Sequence, residues 1–148
     1  MQDLDFIYPC AVIIGISILI AFINSRMGWA NLARKYRTRD EFDGVRLGAV
    51  TAYVNQARYR EGLIIRYNHN GIYFRPIVVF RLFHPPIFIP WADITEVRER
   101  EIVRLGFRGV YKELMIGNPF IAAIQLKKST FSKMESEVIR HSIKQNFS

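Results

Sequence analysis

The chain has a single cysteine among 148 residues, Cys10, and that scarcity excludes a disulfide framework within one chain. Cys10 also opens an apolar run, whereas a lipoprotein signal places its cysteine after one, so it reads as a small apolar residue at a helix start. Histidine is scarce too. His69, His84 and His141 fall in a turn, a loop and a terminal helix, without metal-ligand spacing, so neither a metal nor a cofactor is expected. The sequence lacks H-E-x-x-H, a P-loop and G-x-S-x-G. Ser129, Thr130 and Ser132 have no histidine near them in sequence. Glu96, Glu99 and Glu101 alternate with Arg98, Arg100 and Arg104, the pattern of a self-paired solvated face rather than an acid/base dyad. Catalytic residues are therefore expected to be none, and an enzyme is the least favoured class. Nucleic-acid motifs, internal repeats and low-complexity stretches are missing as well. With 50% hydrophobic and 14% aromatic residues, the composition excludes a disordered chain.

What is present begins with Phe6 to Ile23, eighteen residues without a charge. As a helix this run is about 27 Å long, close to the hydrocarbon thickness of a bilayer. Asp3 and Asp5 precede it. Arg26, Arg34, Lys35, Arg37 and Arg39 follow, with no acid before Asp40. A signal peptide carries its charge in the opposite order, and Ala21-Phe22-Ile23 is a poor cleavage site. The expectation is an uncleaved single-pass anchor, with Pro9 in its first turn. By the positive-inside rule its amino terminus lies outside the inner (plasma) membrane and the remaining chain is cytosolic. Residues 1–25 form the tail and anchor, 26–44 a basic juxtamembrane helix and linker, and 45–148 one domain. The net charge of +8 suits anionic headgroups, which attract each nearby base by about 1 kcal/mol. Membrane lipids are thus an expected partner, and nucleic acid is not.

Trp29, Leu32, Ala33 and Tyr36 recur at helical spacing. Two readings of this stripe stay open. Trp29 can sit at the headgroup layer with Arg26, Arg34, Lys35, Arg37 and Arg39 facing phosphates, or the stripe can pack on the domain. Thr38 to Gly44 is polar and reads as a linker. Beyond it come short, turn-bounded segments: a weak alternation from Gly48 to Arg60, then Leu63–Tyr67, Ile72–Arg75, Ile77–Phe83, Ile87–Ile89, Ile94–Arg98, Val103–Phe107, Tyr111–Ile116 and Phe120–Leu126. Asn68-His69-Asn70-Gly71 is a hairpin turn with Gly71 supplying positive φ, and Gly117-Asn118-Pro119 is another turn. The spacing predicts about seven strands closing a barrel or sandwich. Ser132 and Glu135 form a capping box for an amphipathic helix through Met134, Val138, Ile139 and Ile143, expected to cover an open end of the sheet.

Seven strands followed by a helix is the order of a pleckstrin-homology-like domain. Gly71-Ile72-Tyr73-Phe74, then Phe80 to Trp91 (FRLFHPPIFIPW), then Asp93-Ile94, resembles the signature of small bacterial single-pass membrane proteins of unknown function with such a domain. The resemblance covers residues 60–127 and implies a fold and a location, with no catalytic residues to carry over. The fold class expected is therefore α+β, one amino-terminal transmembrane helix before a partly open pleckstrin-homology-like β-barrel with a carboxy-terminal helix. His84-Pro85-Pro86 and Pro90-Trp91 have two readings. A rigid loop can present His84 and Trp91 to a partner, or Trp91 fills the core while His84 bonds backbone in a turn; the core reading is favoured. The function expected is a non-enzymatic, membrane-anchored binding or assembly module. The alternative is a structural subunit of a homo-oligomer or larger complex, for which Gly15 and Ser17 offer close helix approach.

Overall fold

The computed structural model describes residues 4–104 and 106–146, the side chains at 4–6, 21, 24, 25, 27, 79, 104 and 142–146 excepted. Helix α1 (Leu4–Asn24) leads through a π-helical turn at Ser25–Trp29 into the short helix α2 (Ala30–Tyr36). Seven strands follow: β1 (Val45–Val54), β2 (Ala57–Tyr67), β3 (Gly71–Pro76), β4 (Ile87–Pro90), β5 (Ile94–Arg104), β6 (Phe107–Ile116) and β7 (Ala122–Lys127). Helices α3 (Lys128–Phe131) and α4 (Glu135–Asn146) end the described chain.

All strand pairs are antiparallel, in the order β4-β3-β2-β1-β7-β6-β5. The sheet curls into a half-barrel whose terminal strands, β4 and β5, are joined by a 3-10 turn at Trp91–Asp93 rather than paired. Leu63, Ile65, Ile72, Phe74, Ile87 and Ile89 on one side, and Leu114, Ile116, Ile124 and Leu126 on the other, are fully buried inside the curl. Phe131, Met134 and Val138 close one opening. Helix α4 is tied to the β2–β3 hairpin by the Tyr67 hydroxyl, which donates to the Lys133 carbonyl at 2.7 Å, and by His141 Nε2, which donates to the His69 carbonyl at 2.6 Å.

The polar segment 38–44 is fastened to the sheet. Phe42 stacks on Tyr73 with centroids 5.3 Å apart, and the Phe42 and Asp43 carbonyls accept from Arg66 and Asn68 at 2.9 Å each. That cover explains the unbroken apolar run Ile72-Tyr73-Phe74: β3 is buried on both faces, so it has no reason to alternate.

Several expectations are corrected. Among the described residues no helix is long and apolar enough to cross a membrane. Phe6 and Ala21 of the expected span lie outside the described side chains. The transmembrane anchor, and the single-pass membrane description built on it, are thus not supported. Pro9 lies inside α1 rather than in its first turn. Residues 77–83 are not a strand but a 3-10 turn, Val78–Phe80, with Val78 and Leu82 exposed. Ile94–Arg98 and Val103–Phe107 are not two strands: β5 runs continuously to Arg104, and the chain turns at Gly106, φ +81°. Gly71 does not supply positive φ. Its missing Cβ instead makes room for the Ile89 carbonyl of β4, which approaches too closely for any side chain. Ser132 does not cap α4, since its hydroxyl donates to the Ser129 carbonyl at 3.0 Å. Ile139 is exposed, and Ile143 lies outside the described side chains.

Candidate functional site

The residues singled out in the sequence fall into a buried corner and an exposed rim. Trp29, expected at the headgroup layer, is fully buried, and its indole N–H donates to the Pro85 carbonyl at 3.0 Å. Leu32 and Tyr36 are buried beside it. Of the two readings of this stripe the structure takes the packed one, and Trp29 is withdrawn as a headgroup contact. Gly28 makes the docking possible. It adopts φ +149°, and a Cβ there would lie 2.6 Å from Asn55 Nδ2 in the β1–β2 turn, so both backbone and space require glycine.

His84 is also fully buried, and so is not presented to a partner. Its Nδ1 lies 2.9 Å from the Phe80 carbonyl and its Nε2 2.9 Å from the Tyr59 hydroxyl. A carbonyl only accepts, so Nδ1 carries the proton, Nε2 accepts, and the Tyr59 hydroxyl donates. Burial lowers the His84 pKa below its ordinary 6.5, against an opposing effect of the Phe80 carbonyl. Burial likewise pushes the Tyr59 phenol far above its ordinary range. Both groups are therefore neutral, as the bond between them requires. The Trp29 ring lies against both, with centroid separations of 5.6 Å to Tyr59 and 5.5 Å to His84. Trp91 is 4% exposed, and its indole N–H donates to the Asn68 carbonyl at 2.8 Å. Of the two readings of His84 and Trp91 the structure takes the favoured, buried one, and both are withdrawn as candidate partner-surface residues: each has its polar atoms engaged within the fold.

The bases sit on the rim. Arg26, Arg34, Arg37 and Arg39 are exposed, Arg26 lying 5.2 Å from the centroid of the Phe22 ring. Arg37 joins the sheet through a lone bridge to Ile87. Lys35 pairs with Asp93 at 3.1 Å, and the Tyr36 hydroxyl donates to the same carboxylate at 2.7 Å. The Tyr36 bond, with Lys35 adding to it, holds the Asp93 carboxyl below its ordinary range. The alternating charges of β5 are paired across the sheet, Arg100 with Glu113 at 3.0 Å and Lys112 with Glu99 at 3.0 Å.

Three surfaces among the described residues stand out for a partner. One is α1, whose described side chains from Ile7 to Ile20 are all exposed, Ile13 by 63% and Leu19 by 56%. At its end Phe22 meets Phe83 edge-on at 5.6 Å, next to exposed Val78 and Leu82. The second is an open pocket of about 410 Å³ between β5 and α4, with Trp91, Val97 and Val138 in its lining. The third is a cleft of about 840 Å³ between the β1–β2 and β5–β6 hairpins, with Arg58, Arg60, Arg108 and Lys127 around it. No sequence signal marks this cleft, because its bases lie on three strands that only the curl of the sheet brings together. Among the described residues no group of three or more His, Cys, Asp or Glu is placed to hold a metal ion. No protein-family model matches the chain, and no curated protein matches it.

Proposed function

We propose that the protein is a non-enzymatic binding or assembly module, in which the half-barrel offers a partner surface and α1 is covered by another apolar surface. The observation that carries this reading is the run of exposed apolar side chains from Ile7 to Ile20, continued by Val78 and Leu82. Contiguous apolar patches beyond a few hundred Å² mark interaction sites in proteins that persist in water. Strand order and the helix after β7 support the pleckstrin-homology-like resemblance, and domains of that shape act by binding. The alternative, a structural subunit, rests on the same exposed helix, since a second copy supplies an apolar surface of matching character. Gly15 leaves its side of α1 open, with nothing within 4 Å of where a Cβ would stand.

The test is crosslinking of the full chain in its native cell extract, followed by size analysis, with parallel flotation on anionic and neutral vesicles. A stoichiometric second protein supports the module, and a homo-oligomer supports the subunit. Flotation on anionic vesicles that fades with salt makes lipid headgroups the partner of Arg26, Arg34, Arg37 and Arg39. A stable monomer that binds nothing and keeps α1 in water would sink the proposal.

A further inference from the structure

Strand β7 stops at Lys127, where the chain turns away into α3, and that early end opens a gap in the sheet. β1 meets β7 only at Ala52, Tyr53 and Val54. β6 meets β7 only from Tyr111 onward. Before those points each strand is paired on one side alone, β1 with β2 and β6 with β5. The edge of β6 from Phe107 to Val110 therefore faces the gap with no strand beside it, and such an edge is a template for another extended chain.

The gap is the cleft of about 840 Å³. Its charged lining is of one sign: Arg58 and Arg60 on one wall, Arg108 on the other and Lys127 where β7 ends. Among the described residues Arg58, Arg60 and Lys127 form no ion pair, and Arg108 has only the exposed Glu101 at 3.7 Å. Elsewhere on this sheet Glu96, Glu99 and Glu113 are each paired with a base. The cleft thus gathers three cations with no carboxylate partner among the described residues and a fourth, Arg108, with one exposed partner. Its apolar part is aromatic. Tyr53 and Tyr111 meet edge-on at 5.6 Å, and Phe107, 82% exposed, stands at the mouth.

We infer that this cleft binds an acidic peptide segment of a partner protein as an added strand on β6. Four residues of extended chain span about 13 Å, matching Phe107 to Val110. The peptide backbone pairs with the open edge. Carboxylates at alternate positions face Arg58, Arg60 and Lys127, and the side chains between them lie on Phe107 and the two tyrosines. A single-stranded nucleic acid would use the cations and rings but not the strand edge, which is why a peptide is favoured. This inference rests on the binding-module reading and names the partner's chemistry.

The test selects peptides from a random display library on the full-length protein. The expected winners are acidic, alternate carboxylate with apolar residues, and slow amide exchange at Phe107 to Val110. The tightest labelled peptide should lose about tenfold or more in affinity to the double variant Arg58→Glu, Arg60→Glu. It should lose as much when its own backbone is N-methylated at alternate residues, a change that leaves the protein untouched and so separates binding from folding. Neutral or basic winners, tighter binding of a single-stranded DNA oligonucleotide at the same residues, or indifference to both changes overturns the inference. Protection at the Trp91–Val138 pocket instead overturns the cleft while leaving the binding-module reading intact. Failure to select any peptide also overturns it, and the crosslinking measurement then decides the broader reading separately.

Discussion

Helices α1 and α2 are separated by a turn of five residues, and both carry apolar side chains at helical spacing. Their fates are opposite. In α2, Leu32 and Tyr36, with Trp29 just before them, are buried against the half-barrel. In α1, every described side chain from Ile7 to Ile20 is exposed. The more hydrophobic helix is the one left uncovered. The difference lies in shape and polar pairing. Trp29 finds the Pro85 carbonyl for its N–H and two rings for its face, while α1 is apolar all round and leaves the domain at Gly28. Hydrophobicity states how strongly a segment avoids water; it does not state what covers the segment.

The largest test of that contrast is Trp29→Ala. It removes a fully buried indole and its bond, and should cost about 3–5 kcal/mol in denaturant unfolding. If the variant melts like the parent, α2 is not held by this contact and the contrast fails. Gly28→Ala should come next, at about 1–3 kcal/mol, from strained φ and from the Cβ against Asn55. Its thermal melt checks this, and an unchanged midpoint would mean that the turn between the helices is free to rearrange.

Tyr36→Phe keeps the ring and deletes the bond to Asp93. A loss of about 1 kcal/mol in chemical denaturation is expected, measured above pH 6 where Asp93 is ionised. Acid adds an independent probe of the same corner. The folded pKa of His84 is depressed, so below its ordinary 6.5 the unfolded chain takes up a proton first. Stability should fall as pH drops from about 6.5 and level off below the folded pKa. The Asp93 carboxyl is depressed too, and its contribution is lost as pH falls below 3.8 and through its folded value. A His84→Gln protein that keeps the same slope near pH 6 would contradict the assignment. The smallest effect belongs to α1: Ile14→Ser should change unfolding by less than about 0.5 kcal/mol while altering the size distribution in crosslinking. A large stability loss there would show that α1 packs within the chain.

Local chemistry made much of the fold legible. Asn68 and Asn70 bracket a hairpin because the Asn68 side chain accepts from the Asn70 N–H at 2.8 Å, a turn device that needs no distant partner. Gly117 at φ +88° turns β6 toward β7 in the same local way. The charge alternation on β5 pairs within itself at Glu96 and Arg98, but Glu99 and Arg100 find their partners, Lys112 and Glu113, on the adjacent strand. Less legible were Gly71 and Ser132, whose roles depend on Ile89 and Ser129 rather than on turn and cap statistics. The cleft left no signal at all: Arg58, Arg108 and Lys127 share no periodicity or motif.

What the sequence alone determined was the two hairpin turns at 68–71 and 117–119 and which segments are too apolar for water. Both follow from interactions within a few residues. Only the tertiary structure decided that Trp29 is core rather than interface, that His84 lies neutral beneath it, and that β7 ends early enough to open a basic gap. Each depends on groups dozens of residues apart, brought into register by the curl of a sheet, and burial and hydrogen bonding are decided by that register.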